Sequence, residues 1–210
     1  MGPGIIRSTE RAGRPLPVLF FQRPAEVVAR ELIGALVEVR TGRTTIRGRI
    51  VETEAYLGVD DPASHAFAHR HHAGNASLYS PPGTWYVYRS YGIHWCANLT
   101  AGGRPVAAAV LLRALEPLDG LGLMRRRRGN GVPDRALANG PGKLCQAFGI
   151  DHRLDGSPMR RSWARLLAGT GENEVEATTR IGITKAVDWP LRFVAVGTLW
   201  ASRRTARRSS

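Results

Sequence analysis

The stretch TTIRGRIVETEAYL, residues 44–57, decides the fold of this chain. It reads as an extended strand, in which successive side chains point to opposite faces. Arg49, Val51, Thr53 and Ala55 then lie on one side, and Ile50, Glu52, Glu54 and Tyr56 on the other. Two carboxylates and a phenol thus share a face with Ile50. An acid in such a place is either a structural ion-pair partner or a catalyst whose surroundings set its protonation, and position in the chain does not separate the two.

The flanking segments build a sheet around this strand. Upstream, residues 23–39, RPAEVVARELIGALVEV, carry Ala25, Val28, Leu32 and Ile33 at helical intervals and give way to a strand near Leu36–Val39. Downstream, Gly58 to Pro82 is irregular and rich in His, Gly, Pro, Asp and Asn, which predicts a long loop. An ordered loop of that length usually has a job. Residues 84–100, TWYVYRSYGIHWCANLT, set β-branched and aromatic residues on both sides of RSYGIH, the pattern of a hairpin with its tip near Tyr91 and Gly92. PVAAAVLLRALEP, 105–117, reads as another strand. Pro117 is expected to open a helix that runs into Arg125–Arg128 and stops at GNGVP. NGPGKLCQAFGI, 139–150, is a glycine-rich turn feeding a helix, and TRIGITKA and LRFVAVGTLW read as two closing strands. Hairpins with segregated helices indicate an α+β fold with a mainly antiparallel sheet.

With 210 residues and 43% hydrophobic content, the chain can bury one substantial core. One domain, 18–202, is expected, between a flexible lead 1–17 and a basic disordered tail 203–210. No apolar run approaches a membrane span and the N-terminus lacks a signal-peptide core, so an intracellular, cytoplasmic protein is expected. Cys96 and Cys145 form neither a metal motif nor a disulfide framework and read as small buried hydrophobes. The formal net charge of +13 points to a polyanionic partner, nucleic acid first. Of the 30 basic residues only Lys143 and Lys185 are lysines. Guanidinium forks suit bidentate phosphate contact.

Several residues stand out for chemistry. Arg113, placed on one strand face with Leu111 and Leu115, needs a carboxylate or a phosphate. Glu54 is the obvious partner and Glu52 competes with it, in a pairing that is structural or catalytic on equal terms. Trp85, Tyr86 and Trp95 read first as core. Tyr91, at a hairpin tip, has little core to join and is suited to stack on bases or wedge between them. His65 and the run His69–His72 suggest a metal, but no second cluster has zinc spacing, so no metal is expected. His65 reads instead as a hydrogen-bond donor at a pocket mouth. Asn139–Lys143, NGPGK, offers helix amides and one ammonium to a phosphate without matching the Walker pattern.

On these residues the chain resembles the alkyladenine (3-methyladenine) DNA glycosylase family, the methylpurine class. The likeness runs through ARELIGALV, GRIVETEAYLG, PGTWYVYRSYGIHWCANLT, VLLRALEPLDGL, NGPGKLCQAFGI and PLRF, in the family's order. It implies a single-domain fold with a curved antiparallel sheet, surrounding helices and a protruding hairpin that inserts into DNA. It also implies a monomeric, monofunctional enzyme that needs no cofactor, flips damaged purines out of double-stranded DNA and hydrolyses the N-glycosidic bond. Such an enzyme would sit on the nucleoid when bound. By motif match Glu54 is the catalytic glutamate and Arg113 helps hold the attacking water. Tyr56, His65 and Tyr88 enclose the flipped base, Asn98 discriminates against normal guanine, Leu111 shapes the pocket and Tyr91 intercalates. Lys143 and Arg89 are candidates for phosphate contacts. Glu52 is assigned a structural part. The chain departs from the family where an RTPRN-like run is replaced by RHHAGN, with Gly74 in place of an arginine before Asn75. His94 and Trp95 are also unusual. Two competing readings are a non-catalytic basic minor-groove binder with Tyr91 as wedge, and a bifunctional glycosylase-lyase with Lys143 as amine nucleophile.

Overall fold

In the computed structural model, which describes residues 13–103, 106–169 and 173–202, the 44–57 stretch is the longest strand of one antiparallel sheet. The strands are β1 (Leu36–Thr41), β2 (Thr44–Tyr56), β3 (Trp85–Ser90), β4 (His94–Ala101), β5 (Ala108–Asp119), β6 (Ala164–Leu167), β7 (Val175–Thr178) and β8 (Arg192–Ala195). Their order is β3-β4-β5-β2-β1-β6, and β8 pairs with both β2 and β7. The sheet curves into half a barrel. β5 runs along one edge of β2, while β1 holds the other edge at Thr44–Arg49 and β8 takes it over at Glu52–Glu54.

Helices α1 (Val18–Phe21), α2 (Ala25–Glu31), α3 (Leu121–Arg128) and α4 (Pro141–Phe148) accompany the sheet. The expected apolar stripe of α2 and the turn after it is buried, with Ala25, Val28, Leu32 and Ile33 in the main core beside Leu144, Ala147 and Phe148 of α4. Thr53 points into this side, where its hydroxyl donates to the Ala29 carbonyl at 2.8 Å.

Strict alternation fails around Val51 and Arg113, with consequences for function. Ile50 pairs with Leu115 and Glu52 with Ala114, so Val51 is an extra residue in β2; Thr53 then pairs with Leu112, so Arg113 is an extra residue in β5. Two bulges in succession re-aim the side chains of both strands. Ile50 and Leu115 therefore join the helix-side core with Ala55, Leu112 and Val110. Glu52, Glu54, Tyr56, Leu111 and Arg113 are left out of that core. The expectation that the acids share a face with Ile50, and Arg113 with Leu115, is corrected by this pair of bulges.

The other face is covered by residues 58–82, a long loop as expected, wound into short 3-10 turns at Gly58–Asp60, Phe67–His69 and Ala73–Tyr79. The chain turns into it at Gly58, where φ is +84° and a Cβ would lie 1.7 Å from the Val106 carbonyl oxygen, so only glycine fits. Asn75 organises the far half: its Nδ2 donates to the carbonyls of His65 (3.0 Å) and Arg70 (2.9 Å), and its Oδ1 accepts from the His72 N–H (2.8 Å). In the RHHAGN run, His72 caps the last turn through Nδ1, which accepts from the Gly74 N–H, and the His71 ring rests against Tyr79. Ala66, Leu78, Tyr86, Ala107 and Ala109 form a second small core beneath the loop.

Other expectations shift. β5 continues through Pro117 to Asp119, and α3 starts only after Gly120, because Pro117 pairs opposite Gly48 at a further irregularity of the ladder. The first closing strand is Val175–Thr178, and TRIGITKA is an irregular segment, since Arg180 and the Ile181 N–H are held by side chains of β2 and the long loop. Of the expected lead, residues 13–17 run beside β6, with Gly13 N–H on the Ala168 carbonyl, Leu16 N–H on the Leu166 carbonyl, and Leu16 buried. The expected tail 203–210 lies outside the described residues. Three of the clustered arginines have structural partners: Arg125 pairs with Asp134, Arg127 donates to the Ala147 carbonyl, and Arg128 to the Leu137 carbonyl. Among the described residues no helix is long and apolar enough to cross a membrane.

Candidate active site

The ladder places Tyr86, Asn98, Leu111, Glu54 and Arg192 side by side across β3, β4, β5, β2 and β8. Register partners share a face, so residues from five strands face the long loop together. Between sheet, loop, hairpin and the segment 181–185 lies a cleft of about 670 Å³. Its charged lining residues are Arg70, Arg89, Arg113 and Lys185, with no aspartate or glutamate among the described lining residues. The cleft is suited to a polyanion.

Glu54 is fully buried just behind the lining. Its Oε1 accepts the Ile181 N–H at 2.8 Å and lies 3.4 Å from Arg113 Nη1, and its Oε2 accepts the Tyr56 hydroxyl at 3.0 Å. Burial pushes its pKa up, against the pull of Arg113, the Ile181 amide and the Tyr56 hydroxyl, while Glu52 adds to the rise. The result is a carboxylate with an elevated pKa and both oxygens held in place, the setting in which a carboxylate acts as a base.

Glu52 is equally buried and differently occupied. Its oxygens accept from Arg192 Nε (2.6 Å), Ser202 N (2.6 Å) and Ser202 Oγ (2.8 Å), and Arg113 Nε lies 3.1 Å away. Glu52 does not line the cleft. Arg113 therefore bridges the two acids, fixed by Glu52 at Nε and presented to Glu54 at Nη1. The competition anticipated from the sequence is resolved by sharing.

The remaining candidates gather as follows. Tyr56, His65, Tyr88, Asn98 and Leu111 all line the cleft. The Tyr86 and Tyr88 rings stack with centroids 5.3 Å apart, and His65 stands edge-on to Tyr88 at 4.5 Å. His65 Nδ1 is 2.6 Å from the Tyr86 hydroxyl, and burial lowers the imidazole pKa, favouring the neutral ring. Burial raises the pKa of all three tyrosines, so they keep their protons. Asn98 Nδ2 donates to the Tyr86 carbonyl at 3.0 Å. Cys96 also lines the cleft, its thiol kept neutral by burial.

Tyr91 is 88% exposed at the hairpin tip. Tyr91 and Gly92 both have positive φ, +49° and +67°, and the Ile93 N–H donates to the Ser90 carbonyl at 3.0 Å. A tyrosine held in the left-handed region with its ring in solvent is a strained display. Arg89 lines the cleft and sits 5.7 Å from the Trp95 ring centroid. Lys143 stands apart: its ammonium donates to Asn139 Oδ1 at 2.9 Å, and it is not among the described residues that line the cleft.

Three contributors were missed from sequence: Ile181, which acts through its backbone, and Arg180 and Lys185 in a segment read as strand; Tyr86, read as core, is buried in the small second core and lines the cleft as well. The signal that was present is TRIGITK itself, whose Gly182 and buried-strand-incompatible charges mark a loop.

A buried carboxylate just behind the wall of a cationic, aromatic-lined cleft fits an enzyme with a polyanionic substrate better than a surface made only to bind. The comparisons narrow this. Residues 19–198 match the family model for methylpurine-DNA glycosylase (MPG). The chain is 47% identical to a putative 3-methyladenine DNA glycosylase of Agrobacterium fabrum, covering 90% of this chain and 93% of that one. It is 46% identical to a protein of the same description from Methanoculleus marisnigri (90% and 99%), and 41% identical to the mouse DNA-3-methyladenine glycosylase, covering 95% of this chain and 66% of the mouse protein. The chain belongs to the methylpurine-DNA glycosylase family. It is a DNA glycosylase, an enzyme of base excision repair.

Proposed function

We propose that the protein acts as a monomer on double-stranded DNA, turns a damaged purine into the cleft and hydrolyses its N-glycosidic bond with a water activated by Glu54. The observation that carries this reading is the buried Glu54 carboxylate, gripped on both oxygens behind an aromatic cleft. Tyr91 fills the gap left in the stack, which offsets part of the few kcal/mol that extrusion costs. The purine enters between Tyr56, His65 and Tyr88. In the tautomer whose Nδ1 accepts from the Tyr86 hydroxyl, His65 carries its proton on Nε2 and offers a donor to the base. Asn98 and Leu111 bound the far wall, where an added exocyclic group on a normal base meets resistance.

As the C1′–N9 bond breaks, its electron pair leaves with the purine and positive charge builds on the sugar. The Glu54 carboxylate stabilises that charge and takes a proton from the water that attacks C1′ beside Arg113, leaving an abasic site. A cationic purine such as 3-methyladenine leaves readily; neutral lesions require a proton in addition. The basic rim, with Arg89 and with Lys143 on its flank, follows phosphates without reading sequence, as suits an enzyme that surveys DNA in the cell.

The test is Glu54→Gln against duplexes bearing single 3-methyladenine, 7-methylguanine, hypoxanthine or ethenoadenine lesions. Base release by the wild type and none by the variant, with lesion binding kept, is expected. Wild-type turnover by the variant refutes the assignment.

A further inference from the structure

We infer that Arg180 is a positioning residue of the active site: buried between Tyr56 and Asp61, it fixes the two groups that hydrogen-bond the Glu54 carboxylate. The inference rests on the reading of Glu54 given above.

Glu54 Oε1 is held by the Ile181 N–H and Oε2 by the Tyr56 hydroxyl. These donors come from distant parts of the chain, and Arg180 touches the structure that carries each. Ile181 follows it directly, so wherever the Arg180 backbone is anchored, the amide goes with it. The Tyr56 ring lies against its guanidinium, with Cζ 4.7 Å from the ring centroid, and Trp189 stands 6.0 Å away. The fork is pinned at three points: Nη1 donates to the Ala55 carbonyl at 3.1 Å, and Nη1 and Nη2 both donate to Asp61, Nη2 to Oδ1 at 3.0 Å. Asp61 in turn accepts from the N–H groups of Leu57 and Ala63, which closes the end of β2 onto the loop that carries His65. One guanidinium thus ties together Glu54–Ala55–Tyr56, the long loop and the 181–185 segment.

A purely stabilising role does not explain this arrangement. Arg180 and Asp61 are 5% and 0% exposed, and a buried ion pair of this kind is often no more stable than an apolar pair of similar volume. Arg180 Nε is the buried side-chain nitrogen without a hydrogen-bond partner among the described residues. The geometry satisfies the outward fork and the tyrosine ring at the expense of that nitrogen, as expected where placement of neighbours matters more than saturation. A lysine has neither the planar face nor the fork to do the same.

The charged and titratable groups around Glu54 are Glu52 and Tyr56 on its own strand, Arg113 on β5, Cys96 on β4, Arg192 on β8 through Glu52, and Arg180 through Tyr56. Both hydrogen bonds that Arg180 places favour the ionised acid. Loosening them raises the pH at which Glu54 becomes a base.

The test uses the full chain and compares Arg180→Met/Asp61→Leu, which replaces the pair by apolar side chains, with Arg180→Lys, which keeps the charge beside Asp61 and keeps the experiment readable if the apolar pair fails to fold. Single-turnover base release from methylated duplex DNA is measured across pH, together with binding by anisotropy and melting temperature. In variants that melt like the wild type and bind within about threefold, the rate is expected to fall about 10–100-fold and the acidic limb to move up by about one pH unit. A folded apolar-pair variant with wild-type rate and limb, or full restoration of both by lysine, overturns the inference. Glu54→Gln runs in parallel: if it still releases base, the reading of Glu54 fails, whereas an inactive Glu54→Gln beside unaffected Arg180 variants refutes only the role of Arg180.

Discussion

Glu52 and Glu54, two residues apart on one strand, should fail in opposite ways when each is changed to glutamine. Glu52 is the acceptor on which Arg192, Arg113 and both donors of Ser202 converge, and Arg192 has its ion pair with Glu52. Removing its charge strands the Arg192 guanidinium in the interior and leaves Arg113 with Glu54 alone. Breaking a buried pair from one side costs about 3–5 kcal/mol, and for a chain of this size each kcal/mol lowers the melting temperature by about 2–4 °C. Glu52→Gln should therefore melt about 6–20 °C below the wild type. Assayed well below that temperature it should still release base, because the Glu52 oxygens are taken up by Arg192, Arg113 and Ser202, whereas Glu54 is held by Tyr56 and Ile181, which line the cleft.

Glu54→Gln leaves Arg113 with Glu52 and keeps an acceptor for the Ile181 amide. Burial raises the Glu54 pKa, so this group favours the folded state below the ordinary glutamate range, a contribution lost as pH rises through its native pKa. At neutral pH the glutamine should thus leave the melting temperature unchanged or higher. Single-turnover rates should drop by at least about 10²–10⁴-fold, the usual contribution of a general base. Thermal melts and rates on the same preparations decide the matter. A Glu52→Gln protein as stable as the wild type yet inactive, beside a Glu54→Gln protein that is unstable yet active, would refute the division of labour.

Because a base must be deprotonated and burial lifts the Glu54 pKa above its ordinary 4.5, base release should rise with pH along a limb centred above that value; a limb at or below it contradicts the placement of Glu54. Tyr91→Ser should lower the flipped population of an ethenoadenine duplex about 10–100-fold, as expected for loss of about 1–3 kcal/mol of stacking, with lesions in stable pairs suffering most; an unchanged fluorescence signature removes the ring from the wedge role. Binding to undamaged duplex should weaken steeply with salt, and Arg89→Ala and Lys143→Ala should each reduce the slope of log K against log salt by about one. A slope that neither substitution changes would place the phosphate track elsewhere.

The sequence alone determined which residues could be chemical and, through long motifs in order, which family they belong to. Period-two and helical patterns were enough to locate β1 to β5, the hairpin at Tyr91, the long loop and helices α2 and α4, since these segments bury one regular face each. Patterning failed where the backbone broke its own period. The bulges at Val51 and Arg113 carry no side-chain signature, yet they turn Ile50 and Leu115 to the helix-side core and leave the two acids on the opposite face. The same holds for partners remote in sequence. That Glu52 is occupied by Arg192 and Ser202, and Glu54 by a backbone amide at Ile181, depends on β8 and the 180–185 segment folding back more than 120 residues later. Protonation follows from burial and from what lies within hydrogen-bond reach, and both are properties of the tertiary fold. The strand supplied two equivalent acids; the fold around them tied one to Arg192 and Ser202 and held the other by Tyr56 and Ile181 behind the cleft.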